Sequence, residues 1–215
     1  MNAPLQGPMR RATLADAPRV AQLFAASFAR DPLFDWLARA GPSRQHALQR
    51  FFRWMLESRA LPHGETWLTA DGLAAAAWIP PYAQPGRTGF AADLRVLPVI
   101  LRLTGLRRLP RGAAMSAAME DAHPAAPYFY LAFIGVAPRM QGRGMGSSLL
   151  RQTLARADAS GTGAYLENSN PRNLRLYERA GFSVIREIKA RADAPPIFAM
   201  WRPASVRQGS STMSQ

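Results

Sequence analysis

The chain has 215 residues, of which 48% are hydrophobic and 19% charged, and its formal net charge is +13. This length and balance suit one globular domain, alone or with an insertion. The absence of cysteine excludes a disulfide scaffold, a zinc–cysteine site and a thiol nucleophile. No apolar run approaches the ~18 residues that a membrane span needs, and no secretory signal is evident, so we expect a soluble, cytoplasmic protein.

The positive charge has two interpretations. A basic chain favours anionic partners such as nucleic acid, a membrane surface or a phosphate-rich ligand. Alternatively, the charge reflects a composition rich in Ala, Arg, Gly and Pro, in which Lys189 is the only lysine. Because the arginines are scattered rather than clustered with aromatic residues, we expect no specific nucleic acid and no membrane partner.

Cap residues, prolines and hydrophobic spacing define the elements of the first half. An Asp-Gly turn between two apolar runs indicates a hairpin. In chain order, we predict a disordered N-terminus (1–8), a strand (10–14), helices beginning at Asp16 and Ser43, a hairpin (66–69 and 73–79) and a helical insertion (about 86–121) that breaks near 105–112. The first helix would end at Asp31-Pro32.

Strands and helices alternate in the second half, which predicts a mixed α/β or α+β fold. Residues 128–136 are rich in aromatic and aliphatic residues, as strands are. The predicted elements are strands at 128–136, 164–167, 183–188 and 196–201, helices at 144–160 and 171–179, and a disordered tail at 204–215. Residues 9–203 would form a single domain.

A glycine-rich loop joins the strand at 128–136 to the following helix. Gly142, Gly144 and Gly146 alternate just before that helix, where glycine lets the backbone approach a ligand closely. Free N–H groups at a helix start bind anions, and Arg143 would add charge-assisted bonds to phosphate. The spacing matches neither a P-loop nor a Rossmann fingerprint. The alternative is a turn that only connects the two elements.

The order Gln141-x-x-Gly144-x-Gly146 resembles the pyrophosphate-binding element of the GNAT superfamily of N-acetyltransferases. Residues 134–138 and the segment Asn173 to Phe182 are similar to two further motifs of that family, and residues 11–16 to its opening strand. The resemblance implies a mostly antiparallel sheet of six to seven strands, flanked by helices, with a splayed parallel pair. It also implies acetyl-CoA as the acetyl donor. Within the superfamily, His123-Pro124 and residues 165–173 resemble the puromycin N-acetyltransferase-like branch.

The resemblance assigns roles to individual residues. Tyr177 would protonate the leaving thiolate, and a backbone N–H near Ile134 or Val136 would meet the thioester oxygen. Glu167 or His123 would take the proton of the amine, with Glu120, Asp121 or a water chain as alternatives. The residues expected to contact acetyl-CoA are Ile134, Gly135, Val136, Gln141, Gly142, Arg143, Gly144, Met145, Gly146, Ser147, Asn168, Asn173 and Tyr177. No metal is expected.

Several alternatives stay open. Tyr177 also fits an aromatic packing role, Asn173 a helix cap, and Glu167 an ion pair with Arg172. The acceptor pocket would come from residues 28–36, 51–55 and 88–121, with Phe34, Trp36, Trp54 and Phe90 as an apolar lining. We expect a monomer or homodimer that acetylates a primary amine of a small molecule. The alternatives are a catalytically weak or regulatory acyl-CoA-binding domain and a peptide N-terminal or side-chain acetyltransferase.

Overall fold

The computed structural model describes residues 8–83 and 94–205. Seven strands are found within these residues: β1 (Met9–Arg11), β2 (Thr66–Thr69), β3 (Ala74–Ile79), β4 (Tyr128–Val136), β5 (Gly163–Asn168), β6 (Ser183–Ile188) and β7 (Ile197–Arg202). They form one sheet in the order β1-β2-β3-β4-β5-β7-β6. Neighbours pair antiparallel except β4 and β5, which run parallel. This mixed sheet confirms the predicted fold class.

Helices cover both faces of the sheet. In chain order, the described α-helices are α1 (Ala17–Ser27), α2 (Pro32–Leu37), α3 (Arg44–Met55), α4 (Leu97–Ala122), α5 (Met145–Ala159) and α6 (Leu174–Arg179). A π-helical segment, Leu56–Ala60, continues α3. α4 is interrupted at Gly105, whose φ of 64° and ψ of 173° are not helical, and this confirms the predicted break.

Successive residues of β3 point to opposite faces of the sheet and so contribute to two separate parts of the core. Ala75 and Ala77 pack under α1 and α3, whereas Ala74, Ala76 and Trp78 pack under α5 and α6. Alanine side chains on the central strand let the helices on both faces lie close to the sheet. α4 covers the remaining part of the α1 face, over the β4–β5–β7 region.

A β-bulge in β4 shifts the alternation of its side chains, so residues after the bulge point to the opposite face from the one expected. Ala77 pairs with Phe133 and Trp78 with Leu131, so Ala132 is the extra residue. Leu131 packs under α5, whereas Phe133 packs under α1 and α3. Beyond the bulge, Ile134 and Val136 therefore face α5 and α6.

Phenylalanines dominate the packing under α1 and α3. Their ring centroids lie between 5.0 and 6.4 Å apart, mostly in tilted or edge-to-face arrangements. The cluster consists of Phe24, Phe28, Phe34, Phe51, Phe52 and Phe133. Each fully buried phenylalanine contributes about 1.5–3 kcal/mol. Phe28, Phe51 and Phe133 are only partly buried, so the cluster reaches the surface beside β4.

The structure corrects three details of the sequence prediction. The first strand is Met9–Arg11 rather than 10–14. α1 ends at Ser27, and Asp31-Pro32 begins the unpredicted helix α2 instead of only stopping α1. The predicted hairpin of the last two strands is present, but β7 also pairs with β5 and so lies inside the sheet while β6 forms its edge.

Several predictions fall outside the described residues. These are most of the two disordered ends, the beginning of the helical insertion and Phe90. In the part of the chain that the structure describes, no helix has the length and apolar character required to cross a membrane.

Candidate active site

The parallel strands β4 and β5 separate at their carboxyl ends. Their pairing stops at Tyr130 opposite Tyr165, although β4 continues to Val136 and β5 to Asn168. The bulge at Ala132 lies just where they part. The facing edges of the two strands therefore lack each other as hydrogen-bond partners, and a cleft opens between them.

The loop after β4 leads directly into α5. Gly142 and Gly144 have φ values of 78° and 81°, which side-chain-bearing residues rarely adopt, so the loop's shape requires glycine there. Gly146 differs: a Cβ at this position would meet the side chains of Leu176 at 3.6 Å and Ile134 at 3.9 Å, both at ordinary contact distance. The fold therefore does not require the third glycine, which leaves close approach of a ligand as a reason for it.

The start of α5 presents unsatisfied donors. Ser148 N is bonded to Gly144 O at 3.1 Å, which closes the first helical turn. The N–H groups before Ser148 have no carbonyl of the preceding turn to bond, and together with the helix dipole they attract anions. Ser147 is partly buried on this turn.

Some side chains of the loop hold it against the rest of the fold, and one points into solvent. Gln141 Nε2 donates to the carbonyl of Val136 at 3.2 Å, and Met145 is buried under the sheet. Gly135 lies directly beneath Phe24 of α1. Arg143, by contrast, is exposed and makes no hydrogen bond or ion pair within the described ranges. It is thus available to an external anion.

Tyr177 lies on α6, on the α5 side of the sheet. The side chain is 6% exposed, and its ring lies 6.2 Å from that of Phe182. Burial, and then the charge of Asp31, raises the pKa of the Tyr177 phenol. The hydroxyl is therefore protonated at neutral pH and suited to donate a proton.

Asp31 is a candidate site residue that the sequence analysis missed. It is 6% exposed and caps α2, accepting from Leu33 N at 3.0 Å and Phe34 N at 3.4 Å. Its other oxygen accepts from Ser169 Oγ at 2.6 Å. Burial raises the pKa of Asp31, while these hydrogen bonds oppose the rise. An Asp-Pro pair marks a helix start as readily as a helix end, but a carboxylate coupled to Tyr177 leaves no pattern in the sequence.

His123 and Glu167 meet on the opposite face of the cleft. His123 caps the end of α4, and its Nε2 lies 2.9 Å from Glu167 Oε1 on β5. The imidazole is 25% exposed and the carboxylate only 2%. Burial lowers the pKa of His123. Glu167 and Glu120 together raise it by more than burial lowers it, so the pKa lies above its ordinary value. The predicted alternative, an ion pair of Glu167 with Arg172, is wrong because Glu167 pairs with His123.

Three tyrosines surround this pair. His123 Nδ1 lies 2.5 Å from the Tyr128 hydroxyl, and the imidazole ring is 5.2 Å from Tyr130 and 5.0 Å from Tyr165. Burial, and then the charge of Glu167, raises the pKa of all three phenols, which stay neutral. The cluster thus holds one buried carboxylate and one proton-exchanging imidazole with a partly open face.

Two asparagines follow the strand end. Asn168 is 3% exposed; its Oδ1 accepts from Asn170 N at 3.1 Å, and its Nδ2 is buried without a partner in the described chain. An unpaired buried donor is costly, so this amide is suited to donate to a bound group. Asn173 is exposed at the start of α6, and its side chain makes no capping bond. The helix-cap alternative for Asn173 is therefore not realised.

Three other predicted residues, Asp121, Trp36 and Trp54, make contacts with the rest of the fold. Asp121 is exposed and pairs with Arg186 at 2.9 Å, away from Glu167. Trp36 Nε1 donates to Asp193 at 3.1 Å, and Arg111 stacks 5.2 Å above the Trp36 ring. Trp54 is stacked by Arg59 at 5.9 Å. Trp36 also packs against the buried cluster under α4, and neither tryptophan belongs to the core cluster that contains the phenylalanines.

Several solved acetyltransferase structures share this architecture. An acetyltransferase of the histone acetyltransferase HPA2 and related group from Corynebacterium glutamicum has a TM-score of 0.70 at 24% identity, covering 95% of this chain and 99% of that one. Arylalkylamine N-acetyltransferase 2 from Aedes aegypti gives 0.62 at 13%, covering 92% and 99%. Drosophila melanogaster polyamine N-acetyltransferase gives 0.55 at 16%, covering 91% and 99%.

Residues 110–182 match the model of the acetyltransferase (GNAT) family. This range includes β4, the glycine loop, β5 and α6, the elements that form the cleft. The match covers about a third of the chain, so this part of the protein resembles the acetyltransferase (GNAT) family, and the fold resembles that of the solved acetyltransferases. Members of the family generally use acetyl-CoA as the acetyl donor.

Proposed function

We propose that this protein transfers an acetyl group from acetyl-CoA to a primary amine of a small molecule. One observation carries the proposal: a cleft between β4 and β5 has a buried phenol, Tyr177, on one face and an imidazole–carboxylate pair, His123 and Glu167, on the other. Transfer to an amine needs a proton donor for the leaving thiolate and an acceptor for the amine proton. The two groups supply both.

The residues around the cleft fit acetyl-CoA. Its pyrophosphate would lie on the loop from Gln141 to Ser147. There α5 offers free N–H groups, and Arg143 makes no hydrogen bond or ion pair with any described residue. Its pantetheine arm would lie between the strands, beside Ile134, Gly135 and Val136. Asn168 Nδ2 has no partner in the described chain, and the Asn173 side chain makes no capping bond. Both amides could therefore donate hydrogen bonds to the amide carbonyls of that arm. When bound, the thioester supplies the electrophilic carbonyl.

Tyr177 serves the leaving group. Because burial and Asp31 raise its pKa, the phenol holds its proton until a basic thiolate develops nearby. A backbone N–H on the unpaired edge of β4, near Ile134 or Val136, would stabilise the negative charge on the carbonyl oxygen. With no cysteine in the chain, direct attack by the amine fits better than a covalent thioester intermediate on the protein.

His123 and Glu167 serve the amine. A primary amine is mostly protonated at neutral pH and attacks only after losing a proton. Nε2 of His123 faces Glu167, so the Tyr128 hydroxyl would hand its proton to Nδ1 and take up the proton of the amine, directly or through water. The buried Glu167 stabilises the imidazolium that forms. With its 25% exposure, His123 then returns the proton to solvent.

A small-molecule acceptor is supported by the apolar surface beside the cleft. Phe28, Phe51 and Phe133 are partly buried there, and neighbours named for arylalkylamine and polyamine acetylation share the fold. The resemblance of His123-Pro124 to the puromycin N-acetyltransferase-like branch remains a prediction about the branch and does not transfer that branch's substrate. The test of this function is a panel of primary amines incubated with acetyl-CoA, with thiol release and the mass of the product as the readouts. Acetylated product with at least one amine is expected; acetyl-CoA binding without any product would favour a binding domain.

A further inference from the structure

A solvent-open cavity of about 540 Å³ lies where two connections meet. Arg30 and Pro32, between α1 and α2, line one part, and Asn170, Pro171 and Arg172, between β5 and α6, line the other. The volume is within the range that small ligands occupy. None of these five residues has a role in the chemistry above.

A hydrogen bond fixes the cavity beside the reacting groups. Arg30 and Pro32 flank Asp31, and Asn170 follows Ser169. Ser169 Oγ donates to Asp31 Oδ2 at 2.6 Å, which holds the two connections together. Asp31 in turn acts electrostatically on Tyr177. A molecule in the cavity would therefore lie next to Asp31 and Ser169.

The two arginines of the cavity differ from other arginines around α2. Arg44 pairs with Asp35 at 2.6 Å, Arg111 pairs with Asp193 at 2.9 Å, and Arg108 donates to carbonyls at the end of α2. Arg30 and Arg172 are exposed, and neither guanidinium has a hydrogen bond or an ion pair in the part of the chain that is described. The nearby carboxylate, Asp31, is already engaged by two backbone N–H groups and Ser169.

We propose that the acceptor amine carries an anionic group, a carboxylate or phosphate, which Arg30 and Arg172 bind at this cavity. Guanidinium groups match the planar, multi-oxygen geometry of such anions. Two unneutralised positive charges also disfavour an acceptor with a second cationic group. This inference rests on the proposed function and specifies its substrate class. A phosphate of acetyl-CoA shares the same chemistry, and the experiment below separates the two sources.

The test compares amino carboxylates of increasing chain length with their carboxamides, by kcat/KM. We expect the wild-type enzyme to prefer carboxylates about tenfold or more, as a charge-assisted contact would give. Arg30→Gln and Arg172→Gln should each remove most of that preference and leave KM for acetyl-CoA unchanged. Arg50→Gln, at an exposed arginine of α3, is the matched control and should retain the preference.

Each other outcome is decisive. Amines that react without a carboxylate preference, or with one that both variants retain, would overturn the inference and leave the proposed function intact. A rise in KM for acetyl-CoA in the variants would assign the arginines to a phosphate of the donor instead: to the 3′-phosphate if the rise is absent with acetyl-dephospho-CoA, and to the pyrophosphate if it persists. A panel in which no amine reacts would overturn the proposed function and this inference with it.

Discussion

His123 Nε2 lies 2.9 Å from Glu167 Oε1, although the two residues belong to different elements, the end of α4 and strand β5. The contact couples a half-open imidazole to a carboxylate that is 2% exposed. It gives the proposed base a defined partner and a raised pKa.

Glu167→Gln should shift the pH dependence of catalysis. Glu167 raises the pKa of His123, so its removal lowers that pKa and the imidazole becomes deprotonated at lower pH. We therefore expect the acidic limb of the kcat/KM profile to move to lower pH, with the plateau reduced about 10²-fold. Asp121→Asn removes an exposed carboxylate and is the control. An acidic limb that does not move would exclude His123 as the titrating base.

Tyr177→Phe should reduce turnover far more than cofactor affinity. It removes only the hydroxyl, and the ring keeps its packing with Phe182. General acid catalysis contributes about 10²–10⁴-fold, so we expect kcat to fall by at least about 10²-fold. The measurement is kcat together with the Kd of acetyl-CoA from calorimetry. Tyr82→Phe, at a residue that is 79% exposed, controls for loss of a phenol. Equal turnover would rule out the acid role.

Gly146→Ala should separate ligand binding from folding. The added Cβ meets Leu176 at 3.6 Å and Ile134 at 3.9 Å, both ordinary contacts, and alanine is the better helix former by about 1 kcal/mol. We expect unfolding temperature to hold or rise while acetyl-CoA affinity falls about tenfold or more. Gly112→Ala, inside α4 with its nearest contact at 3.9 Å, should leave affinity unchanged.

Gly144→Asp, which places a negative charge in the loop, should abolish acetyl-CoA binding. Unaltered affinity in a folded Gly144→Asp protein would refute the phosphate assignment.

Asp31→Asn should alter stability as a function of pH. Its pKa in the folded protein is raised above 3.8, so the folded state holds this proton more tightly than the unfolded chain. This contribution is favourable at low pH and is lost as pH rises through the folded pKa. Asparagine cannot ionise but can still cap α2. We expect the variant to gain stability relative to wild type between pH 4 and pH 7 in urea unfolding. Asp35→Asn is the control, and a gain that shrinks with pH would contradict the burial of this charge.

Sequence patterns predicted the second half of the molecule better than its first half. β4, β5 and the glycine loop are defined by residues adjacent in the chain, so composition and spacing located them. His123 and Glu167 were each proposed, but their contact depends on α4 ending beside β5, which no local pattern encodes. Asp31 was missed for the same reason, because its coupling to Tyr177 arises only when α2 meets the end of β5.

The most direct test of the account is thermal unfolding with and without acetyl-CoA, with ATP and NAD as controls. A ligand that binds only the folded state raises the midpoint, by an amount that grows with its concentration over Kd. We predict a rise with acetyl-CoA that neither ATP nor NAD produces and that Gly146→Ala reduces. No rise with acetyl-CoA, in wild-type protein that unfolds cooperatively, would contradict the cofactor site and the enzyme built around it.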